Sequence, residues 1–296
     1  MNLTGKRVLI VGASGKIGFM LAERLAGTGA ELYGAARFSN ATGRQQIEAL
    51  GVRTIAYDAK SDNPDRLPEA DLVIFQIWAP WEHTGPDARE AIWQLNYRGV
   101  GRIAERYAGR AHIINGSSGN IYGTGSTPFA EDDPARPDSE YGLARFAQER
   151  LLEFLTERAG SCVLHLRYLF GNTAETGQIY RAARAILEGA PQEGPPEQRL
   201  QVIALEDIVE LTYRAIELVD SNHAHAINIC HPTVLARRQL AEMVQQELGE
   251  GQIIFQPDHG GADRSLVGDP SRMLEQLGAP AVPIEELVRR AARAAH

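Results

Sequence analysis

Three side chains in this sequence have the types and spacing to move a proton to or from a carbon-bound oxygen. Tyr141 and Arg145 lie four residues apart in Tyr141-Gly142-Leu143-Ala144-Arg145 and therefore share one helix face. Ser118 stands in Ser117-Ser118-Gly119-Asn120-Ile121-Tyr122-Gly123, where the chain leaves an apolar run. A phenol titrates near roughly 10 and is a poor acid or base at neutral pH. Adjacent positive charge lowers that value, and a serine hydroxyl can share the reacting oxygen with the phenol. The set suits hydride transfer at a carbon whose oxygen gains or loses a proton.

A second pattern supplies what such chemistry needs. Gly12, Gly15 and Gly18 recur every third residue between an apolar run, Arg7 to Val11, and a helical pattern carried by Ile17, Leu21 and Leu25. Gly12 permits a tight turn, Gly15 lets backbone approach a pyrophosphate, and Gly18 lets the helix pack closely on the strand. Ser14, Lys16 and Ile17 complete the turn, whose helix amino terminus offers free N–H groups and partial positive charge to phosphates. This context predicts a dinucleotide site. About 20 residues beyond the turn, an acidic residue would take both ribose hydroxyls of NAD. That place holds Ala35-Ala36-Arg37, so the reading favours NADP, with Arg37 on the 2′-phosphate, and leaves NAD open. Asp58, with Ala59 beside it, is a candidate for the adenine amino group or an ordinary turn-forming residue.

These groups need a scaffold, and the chain provides an alternating one. Apolar runs at Glu31–Ala36, Val52–Ala56, Asp71–Ile77, His112–Asn115 and Cys162–Arg167 read as strands. Helical patterns over Arg44–Leu50, Ala88–Tyr107 and Glu140–Glu157 separate them. The order predicts an α/β, Rossmann-type doubly wound parallel sheet, with the Asp71–Ile77 strand at its centre. Residues 1–170 form the dinucleotide-binding domain and 171–296 a smaller α/β substrate lobe, its elements interleaving with the first. In that lobe the pattern predicts helices over Ile179–Glu188, Glu206–Val219, Arg238–Leu248 and Ile284–Arg293, and strands over Leu200–Ile203, Ala226–Ile229 and Ile253–Gln256. Trp93, Phe146, Phe154 and Leu155 read as core. Trp78, Trp81, Glu82 and His83 follow the fourth strand and either line a substrate pocket or pack in a loop. His223, His225 and His231 cluster in sequence only, and no metal site is expected.

Composition excludes other classes. The 296 residues carry 30 Lys plus Arg against 38 Asp plus Glu, a net charge of −8, which argues against broad affinity for nucleic acid or anionic membrane. No apolar run approaches the roughly 20 residues of a spanning helix, nothing resembles a signal peptide, and two cysteines without a CxxC pair form no framework. A cytoplasmic setting is expected. Only Lys6, Lys16 and Lys60 among the 30 basic residues are lysines.

Taken in order, these motifs resemble the extended short-chain dehydrogenase/reductase family of the NAD(P)-dependent epimerase/dehydratase type. The resemblance runs nearly end to end. It covers the glycine turn, Asp58, Ala79, Asn96, Ser117-Ser118 to Tyr122-Gly123, Tyr141, and Arg167 with Gly171. In the second lobe it takes in Asp207, Asn228 and the Asp269 to Gly278 segment. It implies Tyr141 as acid/base, Ser118 on the substrate oxygen, Ala79 and Asn96 at the cofactor, and a homodimer through the two long helices. The family motif is YxxxK, and its lysine binds the nicotinamide ribose; here Arg145 takes that place, keeping the charge with a different reach. Arg167 to Gly171 lacks the family's intervening asparagine, which leaves room for a smaller sugar-like substrate. Trp81, His83, Ser117, Asn120 and Arg199 are candidate substrate contacts. Gly119-Asn120 replaces an acidic pair and disfavours dehydration. The resemblance implies sugar oxidoreduction, or epimerisation; a catalytically silent NADP-binding sensor is the alternative in another class.

Overall fold

The computed structural model describes residues 1–79, 86–219, 225–256 and 265–296. Seven strands form its main sheet: β1 (Arg7–Val11), β2 (Glu31–Ala36), β3 (Arg53–Ala56), β4 (Leu72–Phe75), β5 (His112–Ser118), β6 (Val163–Tyr168) and, later in the chain, Ala226–Ile229. Counted from the Ala226–Ile229 edge, the order is that strand, β6, β5, β4, β1, β2, β3. β4 is central as expected, and all four of its residues are buried, as a strand covered on both faces must be. Parallel register pairs Val8 with Leu72, Leu72 with His112 and Arg7 with Glu31, which brings the carboxyl ends of β1, β4 and β5 to one rim.

Helices α1 (Lys16–Leu25), α2 (Ala41–Ala49), α3 (Pro86–Trp93), α4 (Val100–Tyr107) and α5 (Glu140–Ala159) accompany these strands. The pattern over Ala88–Tyr107 predicted one helix; the structure inserts a π-turn, Gln94–Gly99, between α3 and α4. A Cβ on Gly99 would lie 2.8 Å from the Ala59 carbonyl, so the widened turn lets the helix press onto the loop after β3. α5 starts where Ser139 Oγ accepts the Gly142 N–H at 3.1 Å and stops at Gly160, whose φ of 74° only glycine adopts freely. Leu9, Val73, Phe75, Ile103, Tyr107 and Leu152 form one continuous core. Phe154, expected in it, is 54 % exposed. Helical spacing put it with Leu155, but α5 is half-buried and its outer face falls on Phe154, where Arg158 stacks at 5.2 Å.

By compactness the chain divides into two units that interleave. One comprises Met1–Ile121, Pro137–Arg167 and Thr212–Ile227; the other Tyr122–Arg136, Tyr168–Leu211 and Asn228–His296. In the second unit, helices Gln178–Glu188, Arg237–Leu248 and Ile284–Ala295 pack through Ile179, Ile186, Leu240, Val244, Leu287 and Ala291. Two expectations fail there. Leu200–Ile203 is two short strands, Arg199–Leu200 and Ile203–Ala204, each paired with a different partner. Ile253–Gln256 is not a strand but one bridge, Pro191 to Ile254, because a short apolar run can cover a helix surface without a ladder.

Candidate functional site

The glycine turn is built as its spacing demands. Gly12 has a φ of 97°, and a Cβ there would lie 2.2 Å from the Gln76 carbonyl oxygen. A Cβ on Gly18 would lie 2.2 Å from the Gly12 carbonyl oxygen, so the third glycine exists to seat α1 against the first. Gly15 donates its N–H to Gly12 O at 3.0 Å and begins α1 with no side chain capping the first amides. Those amides open toward an anion. Ser14, Gly15 and Lys16 are exposed.

Beside this turn lies a cleft of about 450 Å³. Its walls include Val11, Gly12, Ser14, Gly15, Ala35, Arg37, Tyr57, Asp58, Ala59, Lys60, Ile77, Trp78, Ala79 and Leu95. It therefore runs along the carboxyl ends of β1, β2, β3 and β4, the rim where open sheets bind ligands. The cradle fits a dinucleotide: two glycines admit no side chain, and an uncapped helix start faces the space. Asn96, fully buried in the π-turn, accepts the Ala79 N–H at 2.8 Å and so fixes the wall after β4. Asp58 lines the cleft and also holds a turn, with Oδ1 accepting the Lys60 N–H at 2.9 Å. The turn-forming reading of Asp58 describes it.

At the other end of the rim, α5 is drawn onto the exits of β4 and β5. Arg145 is 1 % exposed; its Nη1 donates to Ile77 O at 3.3 Å and its Nη2 donates to Gly116 O. A Cβ on Gly142 would lie 2.3 Å from the Asn120 carbonyl oxygen, so only glycine lets the first turn of α5 reach the segment after Ser118. Ser118 Oγ accepts the Asn120 N–H at 3.2 Å. Tyr141 packs against the buried cluster of Ala79, Ile92 and Ala144, of which Ala79 also lines the cleft. Trp93 Nε1 and Arg89 Nε fasten α3 to Glu140, one residue before Tyr141, at 2.8 and 2.6 Å.

Behind this rim lies a charged pair that sequence reasoning missed. Glu149, fully buried on α5, takes Arg167 Nη2 at 2.8 Å and Nε at 3.2 Å. Burial alone would push the Glu149 carboxyl up; the electrostatic influence of His165 and Arg167 beside it outweighs burial and holds the group below its usual range. The signal was available: Arg145 and Glu149 lie four apart, so a charged pair shares the face that a long sheet-packed helix must bury.

The remaining candidates separate. Ser117 is buried beside Glu149 rather than on the cleft, since alternation along β5 sends it to the opposite face from Ser118. Arg199 gives its guanidinium to the Gly125 and Ser126 carbonyls. Trp81 and His83 lie outside the described residues. His231 Nδ1 accepts the Thr233 N–H at 3.0 Å, and among the described residues no three metal-ligating side chains converge. No helix among them is long and apolar enough to cross a membrane.

Comparison with known proteins gives this geometry a family. A model of the NAD dependent epimerase/dehydratase family matches residues 8–230. The chain belongs to that family. It is an enzyme of the epimerase/dehydratase type, and its similarities are consistent with this. A dTDP-6-deoxy-L-talose 4-dehydrogenase (NAD(P)(+)) of Kitasatospora kifunensis is 26 % identical over 82 % of this chain and 79 % of its own. A dTDP-4-dehydro-6-deoxyglucose reductase of Escherichia coli is 26 % identical over 56 % of this chain, which spans only 55 % of that relative's length. Among solved structures, a UDP-glucuronic acid 4-epimerase of Bacillus cereus in complex with NAD has the same fold, with a TM-score of 0.83, 20 % identity and 98 % of both chains covered.

Proposed function

We propose that this family member is an NADP-preferring oxidoreductase acting at a hydroxyl or carbonyl carbon of a sugar. The observation that supports it is one rim that carries a glycine cradle at one end and Ser118, Tyr141 and Arg145 at the other. The nicotinamide of a bound dinucleotide supplies a carbon that gives or takes a hydride. The chain's own groups do the rest. Ser118 holds the substrate oxygen and Tyr141 Oη exchanges its proton, with the Arg145 guanidinium held at the β5 exit. The two relatives described above are named for dTDP-linked deoxysugars, which favours a sugar carried on a nucleoside diphosphate over a free one.

The test offers nucleotide-linked and free sugars to the enzyme with NADP or NADPH and follows nicotinamide absorbance and sugar products together. Net cofactor turnover is expected. Isomerised sugar with no net change would replace the reading by epimerisation, and neither would end it.

Cofactor choice rests on Arg37, exposed on the cleft wall at the end of β2, where Ala35-Ala36-Arg37 offers no carboxylate for the ribose hydroxyls. Arg37→Ala should weaken NADPH binding about 10-fold or more and NADH binding little; equal losses would refute the NADP preference. The homodimer is proposed through α5, whose outer face leaves Leu143 46 % and Phe154 54 % exposed. Phe154→Glu should shift sedimentation from dimer to monomer, and an unchanged sedimentation coefficient would remove this helix from the contact.

A further inference from the structure

Lysine is used three times in 296 residues against 27 arginines, and where the chain keeps it repays inspection. Lys6 pairs with Asp71, at 4.0 Å. Lys16 is in the glycine turn. Lys60 is on the cleft wall that also carries Arg37.

Its placement is built rather than incidental. β2 and β3 are parallel with Ala36 opposite Ala56, and Tyr57 N–H donates to Ala36 O at 2.9 Å. Arg37 and Tyr57 therefore leave adjacent strands at the same height, roughly 5 Å apart. The turn that follows Tyr57 is held from several sides. Asp58 Oδ1 accepts the Lys60 N–H, Asp58 O accepts the Ser61 and Asp62 N–H groups, and Arg102 Nη2 donates to Ala59 O at 2.7 Å. Gly99 is bare so that the same Ala59 carbonyl can seat against the π-turn. This bracing fixes the Lys60 backbone at the cleft's edge while its ammonium stays exposed on a flexible stem.

We infer that Lys60 is a second determinant of cofactor choice, a mobile point charge that completes with Arg37 a two-cation seat for the 2′-phosphate of NADP. The inference rests on the NADP reading above. Arginine offers a planar fork; an ammonium on four methylenes follows a phosphate that the fork has oriented. The Asp58 carboxylate stands in the same turn and opposes a second anion, so one cation alone leaves the phosphate incompletely balanced. Lys60 offsets that charge where Asp58 also holds its backbone.

The experiment measures Kd for NADPH and NADH with the full chain, for wild type, Lys60→Met, Lys60→Arg and Arg37→Ala, at low and high salt. For an exposed charge contact, Lys60→Met should lower the NADPH-to-NADH affinity ratio about 3- to 10-fold and flatten its salt dependence, and Lys60→Arg should restore most of it. A wild type that prefers NADPH, loses the preference in Arg37→Ala and keeps it in Lys60→Met overturns this inference and leaves the NADP reading standing. Equal loss of both cofactors in Lys60→Met also overturns it, because the residue would then serve the shared adenosine half. A wild type with no preference overturns both. Unchanged melting temperatures in the variants separate these outcomes from misfolding.

Discussion

Tyr141→Phe should lower kcat about 10²–10⁴-fold while NADPH still binds. The substitution deletes one hydroxyl and keeps the ring, and the side chain packs against the cluster of Ala79, Ile92 and Ala144. The wall after β4, fixed by Asn96 on Ala79, therefore stays in place. The lost function is the proton exchanged at the substrate oxygen, which Ser118 can bind but cannot deprotonate at neutral pH. Single-turnover absorbance at saturating NADPH measures the chemical step directly. Turnover equal to wild type would show that another group handles the proton.

Arg167→Leu should destabilise the protein by about 3–5 kcal/mol at neutral pH, since it strands the fully buried Glu149 carboxylate without its bidentate partner. The pH dependence has a definite sign. In the wild type the Glu149 pKa is held below its ordinary value of 4.5. Its contribution to stability is therefore complete above that value and is lost as pH falls through the lower folded one. Without Arg167 part of the influence that opposes burial is gone, so the carboxyl moves upward and this gain in stability with rising pH shrinks in the variant. Urea midpoints of wild type and variant should thus lie far apart at pH 7.5 and converge near pH 4. A constant separation would mean that the pair acts by packing alone.

Much of the scaffold was legible because its signals are local. A glycine every third residue between a strand and a helix can satisfy few geometries, and Gly12 and Gly18 show the steric reason. β4 announced its central place by being apolar throughout. Illegible were features set by long-range contact. The π-turn depends on the Ala59 carbonyl some 40 residues earlier, Gly142 on Asn120, and the burial of Arg145 on the Ile77 carbonyl beyond β4 and the Gly116 carbonyl in β5. Ser117 and Ser118 look alike in sequence, and only the phase of β5 sends one inward and the other to the rim. Arg199 illustrates a different limit, because a side chain's charge suggests a ligand while its fold neighbours supply ordinary carbonyls.

The way the polypeptide returns to each unit restricts how such a protein can be re-engineered or evolve. The edge strand of the main sheet, Ala226–Ile229, arrives only after two segments of the second unit, Tyr122–Arg136 and Tyr168–Leu211, have been traversed. A stop codon near residue 170 would strip that strand and bare the N–H and C=O groups of β6, an invitation to aggregate. Substrate range in this architecture therefore cannot be exchanged by grafting a carboxyl-terminal cassette at a single crossover. It has to change by point substitution or loop insertion within an uninterrupted reading frame.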